Sequence, residues 1–292
     1  MTGILLMDKP PDWTSHDVVA KLRGLYRERR IGHAGTLDPM ATGLLTIFVG
    51  RATRAVTFAE AADKTYIAGL RLGLTTDTQD TTGRILETCE TQVSRAALEA
   101  VLPAFLGEIS QVPPMYSAIK VDGQRLYKLA RQGVEVERKA RPVTISRLEI
   151  IGQEAGDFTL EITCSKGTYI RTLCHDIGQA LGVGGVMSAL RRTAVGAFSM
   201  GAAHTLEEIE GATDRGRFLL PIDTLFAAHP ARTVDLRQER RGIRNGQAVT
   251  VEGAVPGLYR VYGESGEFLA LGEVRPSGTL VTVKSFFVPQ GA

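Results

Sequence analysis

Cysteine is scarce in this 292-residue chain. Cys89, Cys164 and Cys174 form no C-x-x-C pair. An odd count without paired spacing gives no disulfide framework and fits a reducing compartment. His175 follows Cys174, but the spacing of a zinc site is missing, so the thiols read as core residues. No apolar run approaches the roughly 20 residues that span a bilayer. Asp8 and Lys9 interrupt the N-terminus too early for a secretory signal. These absences predict a cytoplasmic protein with no membrane association. A dominant charge is also lacking: 34 Lys and Arg stand against 32 Asp and Glu, a net +2. Overall charge is therefore a weak indicator of a nucleic-acid partner. No internal repeat or low-complexity tract is evident.

What is present belongs to a globular protein. The hydrophobic fraction is 43% and the charged fraction 23%, and the length suffices for one large domain or two. Cations cluster locally, and phosphate binding depends on where they sit. Arg27, Arg29 and Arg30 form one group. Lys120, Arg125, Lys128, Arg131, Arg138, Lys139 and Arg141 form a second, and Arg237, Arg240, Arg241 and Arg244 a third. Each group reads equally as a solvated face with Glu interspersed.

The stretch Gly32-His33-Ala34-Gly35-Thr36-Leu37-Asp38-Pro39-Met40-Ala41-Thr42-Gly43-Leu44-Leu45 organises the rest. Pro39 has a locked φ and no N–H, and it pushes Asp38 toward extended geometry. The stretch reads as a compact ordered loop presenting Asp38 and His33. Physics alone also allows a plain reading, with Asp38 as a helix N-cap and Pro39 at the first helical position.

That stretch closely resembles the catalytic motif of TruB-type tRNA pseudouridine synthases, which isomerise uridine 55 in the TΨC loop. Further segments agree in order: Leu6-Met7-Asp8-Lys9-Pro10, Lys64-Thr65-Tyr66, Leu72-Gly73-Leu74-Thr75-Thr76-Asp77-Thr78, Gln111-Val112-Pro113-Pro114-Met115-Tyr116-Ser117-Ala118 and Cys164-Ser165-Lys166-Gly167-Thr168-Tyr169-Ile170-Arg171-Thr172-Leu173. The resemblance covers nearly the whole chain. It implies an α+β pseudouridine synthase fold with a large mixed, mainly antiparallel sheet. It implies a catalytic domain at 1–230, with a thumb-like RNA-binding insertion at about 111–142, and a small PUA-like β-domain at 231–292. By the same resemblance Asp38 is catalytic and Arg171 is its partner. Tyr66 and Tyr169 contact a flipped base, Leu190 closes the pocket, and His33 holds the rearranged RNA loop open. Lys9 joins the substrate-binding set. Implied too are a tRNA partner, gripped at the T-arm stem-loop, a monomer needing no protein partner, and chemistry without cofactor or metal. Read by themselves, Tyr66 is a core ring and Arg171 a helix-surface arginine.

In chain order, Ile4 to Met7 reads as a strand, and Thr14 to Asp17 as a capping box opening a helix. A strand at Leu44 to Val49 precedes a short helix at Arg54 to Ala62. Lys64 to Gly73 alternates as a strand, with Tyr66, Ala68, Leu70 and Leu72 on one face. Thr75 to Gly83 reads as a structured turn, because the order of its acids does not fit a calcium loop. Ser94 caps a helix that Pro103 ends. Asp122-Gly123 marks a hairpin turn, and Arg125 to Gln132 a helix stopped by Gly133. Val143 to Ile151 and Phe158 to Cys164 form a hairpin, followed by a helix that carries Arg171 and ends at Gly182. Met187 to Val195 comes next, where Arg191 and Arg192 are candidates to meet phosphate. Thr205 to Glu208 is a second capping box. Beyond about Ala231 come short strands and turns, including Asn245-Gly246.

Two other functions compete. One is a tRNA-binding and folding protein whose chemistry is secondary. The other is an Asp-dependent glycoside hydrolase, which usually needs two carboxylates, and no second acid stands in a recognised motif.

Overall fold

The computed structural model describes residues 1–117, 119–121, 123–130, 132–154 and 156–287. The chain begins with β1 (Gly3–Lys9), α1 (Ser15–Tyr26), β2 (Ile31–Ala34), β3 (Thr42–Val49), α2 (Val56–Ala61) and β4 (Lys64–Leu72). It continues with β5 (Leu74–Thr76), β6 (Ile85–Thr88), α3 (Arg95–Val101), β7 (Gly107–Gln111), β8 (Lys120–Val121), β9 (Gln124–Arg125) and α4 (Leu126–Ala130). Then come β10 (Arg141–Glu154), β11 (Asp157–Cys164), α5 (Ile170–Ala180), β12 (Gly185–Val195), β13 (Phe198–Ser199) and α6 (Leu206–Gly211). The last strands are β14 (Ala231–Thr233), β15 (Val249–Thr250), β16 (Gly257–Tyr262), β17 (Phe268–Val274) and β18 (Thr279–Ser285).

A nine-stranded sheet runs β1-β3-β12-β4-β11-β10-β7, with β2 also on β3 and β13 on β12. Only β3 and β12 pair in parallel within it, so the sheet is mixed and mainly antiparallel. A five-stranded sheet, β14-β16-β17-β18-β15, forms the C-terminal β-domain.

Alternation along the strands divides the core in two. Leu5, Met7, Leu45 and Ile47 face α1 and α5, meeting Val18, Leu22, Leu173 and Ile177. Ile4, Leu6, Leu44 and Phe48 face the opposite way, onto Ala52, Ala55 and Ala59. Leu271 and Phe286 of the C-terminal domain join this second layer. β3 is buried on both faces, which is why it reads as an unbroken apolar run.

The capping boxes at Thr14–Asp17 and Thr205–Glu208 both form. Other expectations need correction. The stretch around Asp38 is not loop throughout, because its first residues form β2, from Ile31↔Val49 to Ala34↔Thr46. β12 pairs with β3 only at Thr42 and Gly43. β2 covers the remaining edge and satisfies backbone groups that would otherwise be buried unpaired. The helix capped by Ser94 does end at Val101, just before Pro103, but a 3-10 turn at Leu102–Phe105 follows it, where the fixed φ of Pro103 is suited to a first turn. The third arginine group lies on a helical segment at 236–245. Asp235 and Gln238 cap it reciprocally, each side chain accepting from the other's N–H at 2.7 and 3.1 Å.

The hairpin expected near 120–125 is β8 with β9, paired Val121↔Gln124, and α4 follows it. Ala118, the turn residue Asp122 and the cation Arg131 lie outside the described residues.

Candidate active site

The seven residues between β2 and β3 are held from three directions. From α1, Ser15 Oγ accepts from Leu37 N–H at 2.9 Å and donates to the Leu37 carbonyl at 3.2 Å. From the end of β1, Lys9 Nζ donates to the carbonyls of Pro10, Trp13 and Pro39 at 2.8, 2.6 and 3.1 Å. From β12, Arg192 donates through Nε to Leu44 O at 2.7 Å and through Nη2 to Gly35 O at 3.0 Å, tying the two ends of the loop together. Asp38 thus sits between residues whose backbones are fixed, and its own carbonyl accepts from Ala41 N–H at 3.0 Å.

Its carboxylate meets Arg171, in the first turn of α5, with Nε 3.0 Å from Oδ2. The two side chains differ in exposure: 37% for Asp38, 7% for Arg171. The carboxylate therefore keeps an open side while its partner is enclosed. The rest of the guanidinium is anchored elsewhere. Nη1 donates to Thr78 O at 3.1 Å and lies 3.6 Å from Asp80 Oδ2. Nη2 donates to Tyr116 O at 2.8 Å. Arg171 is thus buried, contrary to its plain reading as a surface arginine, and it binds three segments distant in sequence.

Asp80 is the residue that sequence reasoning missed. It is buried in the β5–β6 turn, where Oδ1 accepts from Thr78 Oγ1, Thr82 N–H and Thr82 Oγ1 at 2.7, 3.0 and 2.6 Å. Threonines two residues either side of an acid were the available signal, since such spacing lets both hydroxyls reach one carboxylate oxygen. Thr172 Oγ1 on α5 donates to Gln79 Oε1 at 2.8 Å, which stitches this turn to the same helix.

Burial raises the pKa of Asp38 and Asp80 adds to the rise, while Arg171 and Lys9 pull it back, leaving a net shift above the ordinary value. Desolvation therefore outweighs the arginine's field. Burial holds His33 at about 4, helped by His16 and Arg192, so its imidazole is neutral at physiological pH. The rings of His16 and His33 meet edge to face at 5.8 Å. Burial pushes up the phenols of Tyr66 and Tyr169. It lowers the Lys9 ammonium to about 8, against the pull of Asp12 and Asp38.

Tyr66 and Leu190 belong to one core cluster with Leu37, Ala41 and Ile170, which flank Asp38 and Arg171 in sequence. Tyr169 is the N-cap of α5. Lys9 is fully buried, and its ammonium donates to Pro39 O of the loop and to two carbonyls of the β1–α1 connection rather than standing open to a ligand. Arg192 is not placed to meet phosphate, because it is buried and bound to Leu44 and Gly35. Arg191 is half-exposed and pairs with Asp8 at 2.8 Å.

This arrangement can place an oriented carboxylate, with one open side, against a substrate held between aromatic and aliphatic side chains. Comparison with known proteins identifies the family. The N-terminal domain of TruB family pseudouridylate synthase matches residues 23–170. The tRNA pseudouridylate synthase B C-terminal domain matches 171–227, and the C-terminal region of pseudouridine synthase II TruB matches 237–283. The tRNA pseudouridine synthase B of Pseudomonas fluorescens is 45% identical over 287 residues, covering 96% of this chain and 94% of that protein. That of Aromatoleum aromaticum is 45% identical over 280 residues, covering 95% and 90%. A solved H/ACA RNP bound to a substrate RNA containing 2'-deoxyuridine has a chain 25% identical. It covers 99% of this chain and 86% of that one, with a TM-score of 0.73. With profiles spanning both sheets and full-length relatives at this identity, the chain belongs to the TruB family of pseudouridine synthases.

Proposed function

We propose that this protein converts uridine 55 in the T-arm stem-loop of tRNA to pseudouridine, with Asp38 as the catalytic group and no cofactor. The observation that carries the reading is the Asp38–Arg171 contact at 3.0 Å, with the carboxylate open on one side and the guanidinium enclosed. The names of the relatives, tRNA pseudouridine synthase B, supply the substrate class.

The reaction moves the glycosidic bond from N1 to C5 of uracil. Oxidation state is unchanged and no group is gained. A carboxylate can divide such a step by covalent attack. Asp38 either adds to the uracil ring, takes up the charge that develops on ribose, or acts alongside deprotonation at C2′. The freed base rotates and rejoins through C5, which releases its hydrogen. Arg171 orients the carboxylate and opposes the burial that would protonate it.

The target lies inside a folded RNA loop, so it is extruded at a cost of a few kcal/mol. Tyr66 and Tyr169 contact the extruded base, and Leu190 closes over it. Neutral His33 holds the vacated loop rather than serving as the base. Lys9 supports the loop that carries Asp38. The catalytic domain spans 1–230, its cationic excursion at about 111–142 grips the RNA, and the PUA-like domain at 231–292 adds RNA contact. The protein works as a monomer without a protein partner.

Tritium release from tRNA carrying C5-tritiated uridine tests this directly. Wild type releases tritium, and Asp38→Asn loses on the order of 10⁴-fold or more in single-turnover rate. His33→Ala loses far less, about 10- to 100-fold. A folded, tRNA-binding wild type that released none would favour the RNA-folding role instead. Equal release by wild type and Asp38→Asn would retain the reaction and discard the site.

A further inference from the structure

Tyr169 is the N-cap of α5, yet its side chain makes no cap hydrogen bond. N-cap residues ordinarily hold the first turn with a short polar side chain. Here the cap is held from outside. Gln111 Oε1 accepts from Tyr169 N–H at 2.8 Å, and Gln111 Nε2 donates to the Tyr169 carbonyl at 3.1 Å. That carbonyl also accepts the helix bond from Leu173 N–H at 3.0 Å, so both its lone pairs are used. A carboxamide can donate and accept at once, which no carboxylate or hydrocarbon of similar size does.

The position of Gln111 gives the clamp its consequence. It is 2% exposed. It ends β7 and lies opposite Arg141, the first residue of β10. This pair closes the neck of the excursion at 112–140. Arg171 follows Tyr169 by two residues, and its Nη2 donates to Tyr116 O inside that excursion. Neck and helix start are therefore joined twice, once through Gln111 and once through the arginine that meets Asp38.

The turn before α5 has other anchors. Ser165 N–H donates to Thr144 O at 2.8 Å, and Thr144 N–H donates to Ser165 Oγ at 2.9 Å. Thr172 holds Gln79 from the next residue of the helix. Loss of Gln111 thus leaves α5 attached and removes only the clamp on the Tyr169 backbone.

We propose that Gln111 is a positioning residue for the reaction. By clamping the Tyr169 backbone, it sets the first turn of α5 and so the placement of Arg171 against Asp38. This role rests on the proposed function of that pair. Misplacement by about 1 Å is enough to cost on the order of 100-fold in rate.

A double-mutant cycle tests it, using single-turnover tritium release at saturating enzyme, tRNA affinity and thermal unfolding. The proteins are wild type, Gln111→Met, Gln111→Glu, Arg171→Lys and each Gln111 change combined with Arg171→Lys. Gln111→Met slows release about 10- to 100-fold, while the tRNA dissociation constant stays within about threefold. Gln111→Glu keeps the acceptor, loses the donor and falls between. In the Arg171→Lys background either Gln111 change costs less than about threefold, because lysine lacks the planar fork whose placement is being set. Equal losses in both backgrounds would overturn the role, since a purely structural defect acts whatever stands at 171. So would a loss confined to affinity, or wild-type rates in both variants. If Gln111→Met does not fold, the Gln111→Glu cycle decides alone. Failure of wild type to release tritium would instead remove the reaction, and this role with it.

Discussion

At the residue scale the site depends on burial overriding charge. Asp38 is raised although a guanidinium touches it, because desolvation outweighs the field of Arg171, which meets a single oxygen. His33 shows the same balance with a consequence for stability. Its folded pKa is about 4 against an ordinary 6.5, so between these values the unfolded chain binds more protons. Stability is then complete above pH 6.5 and is lost as pH falls toward 4, up to about 2 kcal/mol between pH 7 and pH 5. His33→Gln removes this term. Urea unfolding of both proteins at pH 7 and pH 5 is expected to show a smaller loss for the variant. Equal losses would show that the imidazole is not held neutral by the fold.

At the element scale the short parallel contact between β3 and β12 fixes the loop that carries Asp38. Gly43 has φ +96°, and a Cβ there would stand 2.3 Å from Arg192 O and 2.9 Å from Arg192 N. The neighbour is strand backbone, which cannot move aside without breaking the pairing Arg192↔Gly43. Gly43→Ala is expected to cost at least about 2 kcal/mol of stability, from both the strained φ and the clash. Arg192 spans Leu44 and Gly35, so activity should fall further than the fraction unfolded accounts for. Denaturant melts alongside single-turnover rates separate the two losses.

At the scale of the whole molecule an aromatic cluster joins the two sheets. Phe226 lies in the connecting segment before the C-terminal domain, 3% exposed. Its ring is 5.2 Å from Phe58 of α2, 6.1 Å from Phe268 and 5.7 Å from Phe286, and the last two stack at 5.2 Å. The C-terminal domain also has its own core around Val261, Leu269 and Leu280. Phe226→Ala is expected to destabilise the molecule by about 3–5 kcal/mol. The remaining core of the small domain lets it stay folded separately, so calorimetry should resolve two transitions in the variant where wild type shows one. A single cooperative transition, lowered as a whole, would mean that other contacts couple the domains. Among the described residues no helix is long and apolar enough to cross a membrane.

The sequence by itself determined the local pieces. Thr14 and Thr205 announced their helices because a capping box is complete within four residues. The alternation of β4 and the apolar run of β3 announced strands because side-chain period follows backbone geometry. The motif around Asp38 and its relation to a known family were legible for the same reason, as contiguous text. Only the tertiary structure decided what the long polar side chains do. Lys9 and Arg192 were candidates for substrate or phosphate, and the fold uses both to hold the loop that carries Asp38 by its carbonyls. Asp80 looked like a turn residue, and its second oxygen lies against Arg171. These roles depend on contacts between residues 30 to 157 positions apart. A side chain with several donors declares its partner only when the chain has brought an acceptor to it.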